Sequence, residues 1–532
     1  MNNDFFKLIL NLYTNWISLV IKTFFTLASA TAVVYLGKIW YAYRFFNKRG
    51  LKGPQPEFFY GNYREIRKNR NYSEVIRDWT KKYGKTYGYF EGHQPVLVTS
   101  DLDIIQQVFI KQTSNFNARK RPILDKKEDD PGTHLVQSTN GRWKRMRMII
   151  NPTFSSSKLR ELSPLLVTCT ERLIDCLDKE KETEINITQY FKRFTMDSIW
   201  NCAFGVDINM QYQKENEYFN KCEQAFSTSS NFVLPFYLGV YFHELRQQIM
   251  QCLMLFNRVA SKFVDSKRLT PFYWLRTKVS ELVKIRQNDA TNKKKDFIQL
   301  LMDAKADPSE EKNFNYSELS RKLTMKEIEA NLVLFMLAGY ETTSTTLSYA
   351  SYILSIHPEE QVKLYEEITS QFGTDKRAIN YEEMQNLEYL DWFIKEVLRM
   401  YPIANAIIAR RCTQATTIKG IDIPVDLPIA VDVMTIHFDH ELWGPVDTSL
   451  FYPPRHSVKR NPLSFLSFGI GPRNCIGMKF AMKELKIALV NLILNFEFHK
   501  EKSFELEIDE SVVRIPKNGV KVILKKRDQN EI

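Results

Sequence analysis

A mainly α fold with small β-sheets (α+β), preceded by one N-terminal transmembrane helix, is what this 532-residue sequence predicts. Three observations carry that expectation: an apolar run of spanning length near the N-terminus, a single short hairpin-like stretch, and long helix-forming segments with clear start and stop signals. With 44% hydrophobic and 13% aromatic residues, and only 19 Gly and 20 Pro, the chain has the apolar content for a deep core and no repeat or low-complexity tract. The length suits several average domains or one large catalytic one. A net charge of +12 arises from Lys and Arg interspersed with Asp and Glu, without a zinc finger or other nucleic-acid signature, which argues against nucleic acid as a partner. A basic surface for an acidic protein or a membrane stays open.

The first element is the run from Ile17 to Leu36, apolar apart from small polar residues and Lys22, about the length needed to cross a ~30 Å hydrocarbon core. Lys38, Arg44, Lys48, Arg49 and Lys52 follow it, whereas only Lys7 against Asp4 precedes it. The positive-inside rule then puts the bulk of the chain in the cytoplasm. Ala28-Ser29-Ala30 also fits a signal-peptide cleavage site, but the leading segment is not basic and the apolar text continues past the cut. Residues 1–49 are therefore read as membrane anchor and basic stop-transfer segment, 50–56 ("GLKGPQP") as a proline hinge, and 57–532 as the body. Removing residues 1–49 is expected to leave that body intact.

Residues 85–101 have the β-branched and aromatic content of a hairpin, with Gly92 and Pro95 near its turn. Thr324-Met325-Lys326-Glu327 forms a capping box that opens a helix running to Ile356, stopped by His357-Pro358. Its apolar centre breaks abruptly at Glu341 and a cluster of hydroxyl residues, which rules out a second membrane span and marks a site, because buried acids and alcohols are costly without partners. A further helix, 387–402, carries Glu396 and Arg399 one turn apart among apolar residues, so the pair is expected inside the fold as a structural lock, with Arg455 as its partner. Residues 231–242, "NFVLPFYLGVYF", fit either buried core or an access lid touching the membrane.

Cys475 stands between Gly471 and Gly477 with no C-x-x-C spacing, and the other six cysteines are scattered, so neither a disulfide nor a zinc site explains it. A free reactive thiol suits a reducing compartment.

Taken in order, the anchor, the hinge, Trp143-x-x-x-Arg147, the long helix with Ala338-Gly339-x-Glu341-Thr342-Thr343, Glu396-x-x-Arg399, Arg455 after two prolines, and Phe468-x-x-Gly471-x-Arg473-x-Cys475-x-Gly477 form one pattern. It resembles the cytochrome P-450 superfamily of heme-thiolate monooxygenases over essentially the whole chain. The stretch "AGYETTS" is most similar to the eukaryotic microsomal drug- and steroid-oxidising group. The resemblance implies the cytochrome P-450 fold and heme b (iron protoporphyrin IX), with Cys475 as axial iron ligand and Phe468 and Arg473 in the cysteine signature. Trp143, Arg147, Arg410 and Arg473 would meet the heme propionates, and the neighbouring Arg411 leaves the choice at 410–411 open. Glu341 and Thr342 would deliver protons to bound O2, and Ala338-Gly339 would let the helix yield beside iron.

The implied reaction inserts one atom of O2 into a lipophilic substrate, whether fatty acid, sterol or xenobiotic. Electrons would come from an NADPH-dependent flavoprotein reductase, with cytochrome b5 as a further donor, at the cytosolic face of the endoplasmic reticulum membrane. Lys479, Lys483 and Lys486, at i, i+4 and i+7, together with Arg145, would form a basic docking patch on the thiolate side. The sequence departs from the family pattern at Pro453-Pro454-Arg455-His456, which keeps the arginine and lacks the usual acid and aromatic. Two other readings share these motifs: a heme-thiolate isomerase or dehydratase acting on a peroxide, which can dispense with the Glu341-Thr342 pair, and a non-catalytic heme- or lipid-binding membrane protein.

Overall fold

The computed structural model describes residues 2–527 apart from 70, 123–127, 181, 214, 232, 264–269, 289–295, 307–320, 374–381 and 511. The first element, α1 (Asn2–Ala42), is one continuous helix. At ~1.5 Å per residue it is about twice the length of a bilayer core. Residues 5–49 contain its apolar window, with mean hydropathy 1.8 and none of it buried.

The foot of α1 behaves differently from its shaft. Ile39 and Phe46 are buried, at 0% and 3% exposure, and Tyr43, Phe45 and Leu51 pack against the core cluster that contains Phe46. The Phe46 ring lies so close to Gly88 that a Cβ there would come within 2.3 Å of it. The hinge is stitched down next to it: Gly88 N–H donates to Lys52 O at 3.0 Å, and Gly53 sits where any side chain would strike Gly88 O. Phe46, within the segment read as anchor and stop-transfer, thus packs into a core cluster with residues of the body.

After α2 (Tyr72–Tyr83), the hairpin forms as expected from β1 (Thr86–Glu91) and β2 (Gln94–Thr99), turning at Gly92-His93. Strand periodicity sends Tyr87, Tyr89, Val96 and Val98 to one face, over Trp79, and Phe90 and Leu97 to the other. Next come α3 (Asn140–Ile150), α4 (Ser156–Asp178), β3 (Glu184–Asn186), α5 (Ile187–Ile199), α6 (Glu217–Asn231) and α7 (Val233–Tyr241). The capped helix is α8 (Met325–Ile356), with both halves of the Thr324–Glu327 box present. It crosses the main core with α5 along it, where Thr195 Oγ1 donates to Tyr340 O at 2.9 Å and Thr188 meets Ser348 at 2.9 Å.

The remaining elements used below are α9 (Glu388–Met400), β4 (Ala409–Arg411), β5 (Pro428–Val431), α10 (Met478–Asn495), β6 (Phe496–Lys500) and β7 (Lys521–Lys526). One sheet runs β1-β2-β5-β4, with β2 and β5 parallel, and another runs β3-β7-β6. Small sheets thus flank a helical core.

On α9, Glu396 and Arg399 are both fully buried and joined by two 2.8 Å contacts. Arg455 Nε donates to Glu396 at 2.8 Å, as expected, and His456 Nε2 lies 3.0 Å from its other oxygen. The histidine therefore supplies a contact where the sequence pattern indicated only a loss. Burial opposes ionisation of Glu396, but Arg399 and His456 hold its carboxyl down at about 2.

Of residues 231–242, Phe236 and Tyr237 are half-buried and Leu238 is 37% exposed. The C-terminal end of the segment lies at the foot of α1, where Tyr35 contacts Tyr241 O and stacks on Phe242. The segment's described side chains, 235–242, are thus neither wholly buried nor wholly exposed, and the side chains of 231–234 lie outside those described.

Candidate active site

The helical repeat of α8 sets Ala338, Thr342 and Thr346, four residues apart, on one wall of an interior cavity of about 270 Å³. The facing wall is the loop 467–477, which carries Cys475. Two glycines shape that loop. Gly469 and Gly471 have φ of +68° and +74°, which a side chain would strain, and a Cβ on Gly471 would reach 2.0 Å from Phe109 O. The close approach at Gly471 is thus to protein backbone. Cys475 N–H donates to Phe468 O at 2.8 Å, fixing the cysteine at the end of the turn.

The Cys475 sulfur is open to the cavity yet lies deep in the molecule. Burial raises its pKa, while the Gly477 N–H and the charges of Arg147 and Arg119 pull it down. Four arginines reach the same cavity: Arg119, Arg147, Arg410 and Arg473. Among its described lining residues there is no Asp or Glu. Arg410 and Arg473 are 3% and 5% exposed, and burial together with their like-charged neighbours pushes both well below the usual guanidinium range. Uncompensated buried cations of this kind call for an anionic occupant.

Each arginine is aimed by backbone. Arg147 donates to Asn474 O and Oδ1, both at 2.9 Å, which ties α3 to the cysteine loop. Arg473 donates to Ser138 O at 2.8 Å and to Asn117 O, and its guanidinium lies 4.8 Å over the Trp143 ring, which also lines the cavity. Arg119 donates to Ile407 O at 2.8 Å and Arg473 O at 2.9 Å. The choice between Arg410 and Arg411 is geometric: Arg410 lines the cavity, whereas Arg411 pairs with Asp426 and, at 2.5 Å, with Glu128. Arg119 was not marked by any motif. Its only trace in the sequence is the basic run Arg119-Lys120-Arg121, which has no partner pattern.

Not all expected residues converge. Thr342 is in the cavity wall, with Oγ1 donating to Ala338 O at 2.8 Å, but Glu341 points to α5 and is absent from the lining. Its nearest cation is Lys192, 3.5 Å away, and burial raises its pKa against that charge. Nor does α8 yield at Ala338-Gly339. The helix is continuous, and the missing Cβ of Gly339 instead admits Ile199, which would be 3.0 Å from it.

The basic patch needs correction. Arg145 is fully buried, donating to Glu327 at 2.6 and 3.0 Å. Lys486 pairs with Asp391 at 3.2 Å and Lys483 with Glu382 at 3.0 Å. Lys479 remains exposed, near the Ser156 hydroxyl.

A family model described as cytochrome P450 matches residues 51–523, from the hinge through the cysteine loop to β7. The chain belongs to the cytochrome P450 family. Cytochrome P450 3A12 of Canis lupus familiaris is 31% identical over 518 residues, covering 95% of this chain and 97% of its own length. Cytochrome P450 3A29 of Sus scrofa is 31% identical over 517 residues, with 95% and 97% covered. A Caenorhabditis elegans chain named as the cytochrome P450 CYP13A3 is 33% identical over 499 residues, with 88% and 92% covered. As a cytochrome P450, the protein is an oxidoreductase of the monooxygenase type that works with heme, O2, a redox partner and lipophilic substrates. The donor set fits heme: one thiol on the floor, guanidiniums for its carboxylates, and apolar walls.

Proposed function

We propose that residues 57–532 form a heme b-dependent monooxygenase that oxidises lipophilic compounds, in the range of fatty acids, sterols and xenobiotics. The observation that carries this is the pairing of a solitary thiol with four arginines around one cavity whose described lining residues include no acid. In this reading Cys475 would ligate the heme iron, and Arg147, Arg410 and Arg473, with Arg119 added, would hold the heme carboxylates beside Trp143 and Phe468. Bound there, the heme supplies the reductive activation of O2 and the transfer of one oxygen atom to substrate. Thr342 holds a proton donor in the cavity wall, which supports oxygenation over peroxide isomerisation. Glu341 lies outside the cavity lining beside Lys192, so a part in proton supply requires its side chain to turn from α5 toward the cavity. The apolar walls exclude water, which would otherwise divert reducing equivalents.

Electrons come from a separate NADPH-dependent flavoprotein reductase, with cytochrome b5 as second donor. The anchor holds the body on the cytosolic face of the endoplasmic reticulum, consistent with the basic residues that follow α1. Cys475→Ser tests the central assignment. The variant is expected to lose the thiolate-type ferrous carbon monoxide band even where heme stays bound, and an unchanged band would remove Cys475 from the iron.

A further inference from the structure

Outside the cavity, the β1–β2 turn meets the C-terminal end of α7 and the segment that follows it, at the foot of α1. Gly92 in that turn has φ +61°, and a Cβ there would lie 2.3 Å from Val240 O, so the two segments touch through bare backbone. This contact brings His93 against His243 and Glu244, with the two imidazole centroids 4.1 Å apart. One ring nitrogen of each histidine and one carboxylate oxygen of Glu244 all lie within 4.8 Å of one another. His93 is 2% exposed, its Nε2 lies 3.1 Å from Glu244 Oε1, and His243 Nδ1 lies 3.6 Å from Glu244 Oε2, beyond hydrogen-bond distance. One nitrogen of each imidazole thus converges on the two oxygens of a single carboxylate, an arrangement that a shared cation would bridge.

We propose that His93, His243 and Glu244 form a binding site for a divalent transition metal of the zinc class, which clasps the hairpin turn to the post-α7 segment. Two imidazole nitrogens and a carboxylate, with a fourth position left to water, are a donor set that zinc accepts. The Tyr35 hydroxyl, 3.2 Å from Glu244 Oε2, orients the carboxylate, and the Tyr35 ring stands edge-on to His93 with centroids 5.8 Å apart. Without metal, the Lys38 ammonium takes the cation's place, 2.5 Å from Glu244 Oε1. The Lys38 side chain is 57% exposed and swings into solvent when metal enters. Arg246, the other nearby cation, is engaged by Gly239 O at 2.6 Å and Gln94 Oε1 at 2.7 Å. The site ties together three segments far apart in sequence, one of them the base of the anchor.

The test uses the heme-loaded, full-length chain in detergent, freed of adventitious metal and titrated with zinc chloride against a chromophoric chelator. One zinc per chain is expected, with affinity lowered more than ~10-fold in both His243→Gln and Glu244→Gln. Lys38→Met should bind several-fold more tightly, because the competing ammonium is gone. An unchanged ferrous carbon monoxide band in each variant controls for folding and heme binding. Absence of stoichiometric zinc in the parent chain, or equal affinity in His243→Gln, overturns the site. Unchanged or weaker binding in Lys38→Met overturns the exchange with Lys38.

Discussion

Thr342 offers the cavity a hydroxyl whose own donor bond is spent on Ala338 O, one turn back. It must release that bond to serve a ligand, a small rotation that leaves the helix unbroken. Thr342→Ala is expected to retain heme and substrate binding while less product and more hydrogen peroxide form per NADPH consumed; unchanged coupling would remove Thr342 from proton delivery. A second residue, Glu484 on α10, is 1% exposed, and burial pushes its carboxyl up to about 8 against the pull of the Ser198 and Thr343 hydroxyls. An ordinary glutamate titrates near 4.5, so between that pH and about 8 the unfolded chain sheds a proton that the folded chain keeps. Folded stability therefore falls as pH rises through this window. Glu484→Gln should raise stability near pH 7 by up to ~3 kcal/mol in urea unfolding, and the gain should vanish by about pH 4.5. A gain that persists in acid would mean that repacking, not ionisation, is responsible. Cys475, Arg147 and Arg473 could be read from motif spacing, and Arg410 only as one of the pair 410–411. Arg119 and Glu484 could not be, since burial and charge environment are properties of the assembled fold.

At the scale of the element, the N-terminus of α8 does more than start a helix. Glu327 closes the capping box on Thr324 N–H at 3.1 Å, and the same carboxylate accepts from Arg142 at 2.9 Å and from Arg145 at 2.6 and 3.0 Å. Glu327 and Arg145 are fully buried and Arg142 is 4% exposed. This is why Arg145 is not a surface charge. Helical periodicity correctly put it on the face opposite Trp143 and Arg147, but periodicity does not say what covers a face, and here α8 does. Likewise the capping box was readable from four residues, whereas its second use needed a helix 182 residues away in sequence. Glu327→Ala leaves two guanidiniums buried without their carboxylate and should destabilise the protein by ~3–5 kcal/mol in urea or thermal unfolding. Lys144→Ala, at an exposed position on the same helix as Arg145, should stay within ~0.5 kcal/mol of the parent. Similar losses from both would mean that helix α3, not the ion cluster, sets the cost.

For the molecule as a whole, composition and local signals gave the right architecture because the helices and hairpin are locally encoded, while packing runs across the boundary drawn at residue 49. The basic cluster and prolines do mark where regular structure ends, with no helix or strand over residues 51–56. Packing follows different rules: Phe46 sits on the anchor side of the hinge and in the core of the body, over the bare backbone of Gly88. A chain beginning at Tyr35 keeps Ile39, Phe46 and the Lys38–Glu244 contact, whereas one beginning at Gly50 loses all three. The first should therefore match the full-length protein in heme content and thermal midpoint while losing its membrane-spanning length. The second gives up the burial of a phenylalanine and an isoleucine and leaves the pocket over Gly88 empty, a loss of ~3–5 kcal/mol. Thermal unfolding of the two heme-loaded truncations in the same detergent separates these outcomes. Equal midpoints would show that the Phe46 contact contributes nothing to the body and restore the boundary at residue 49.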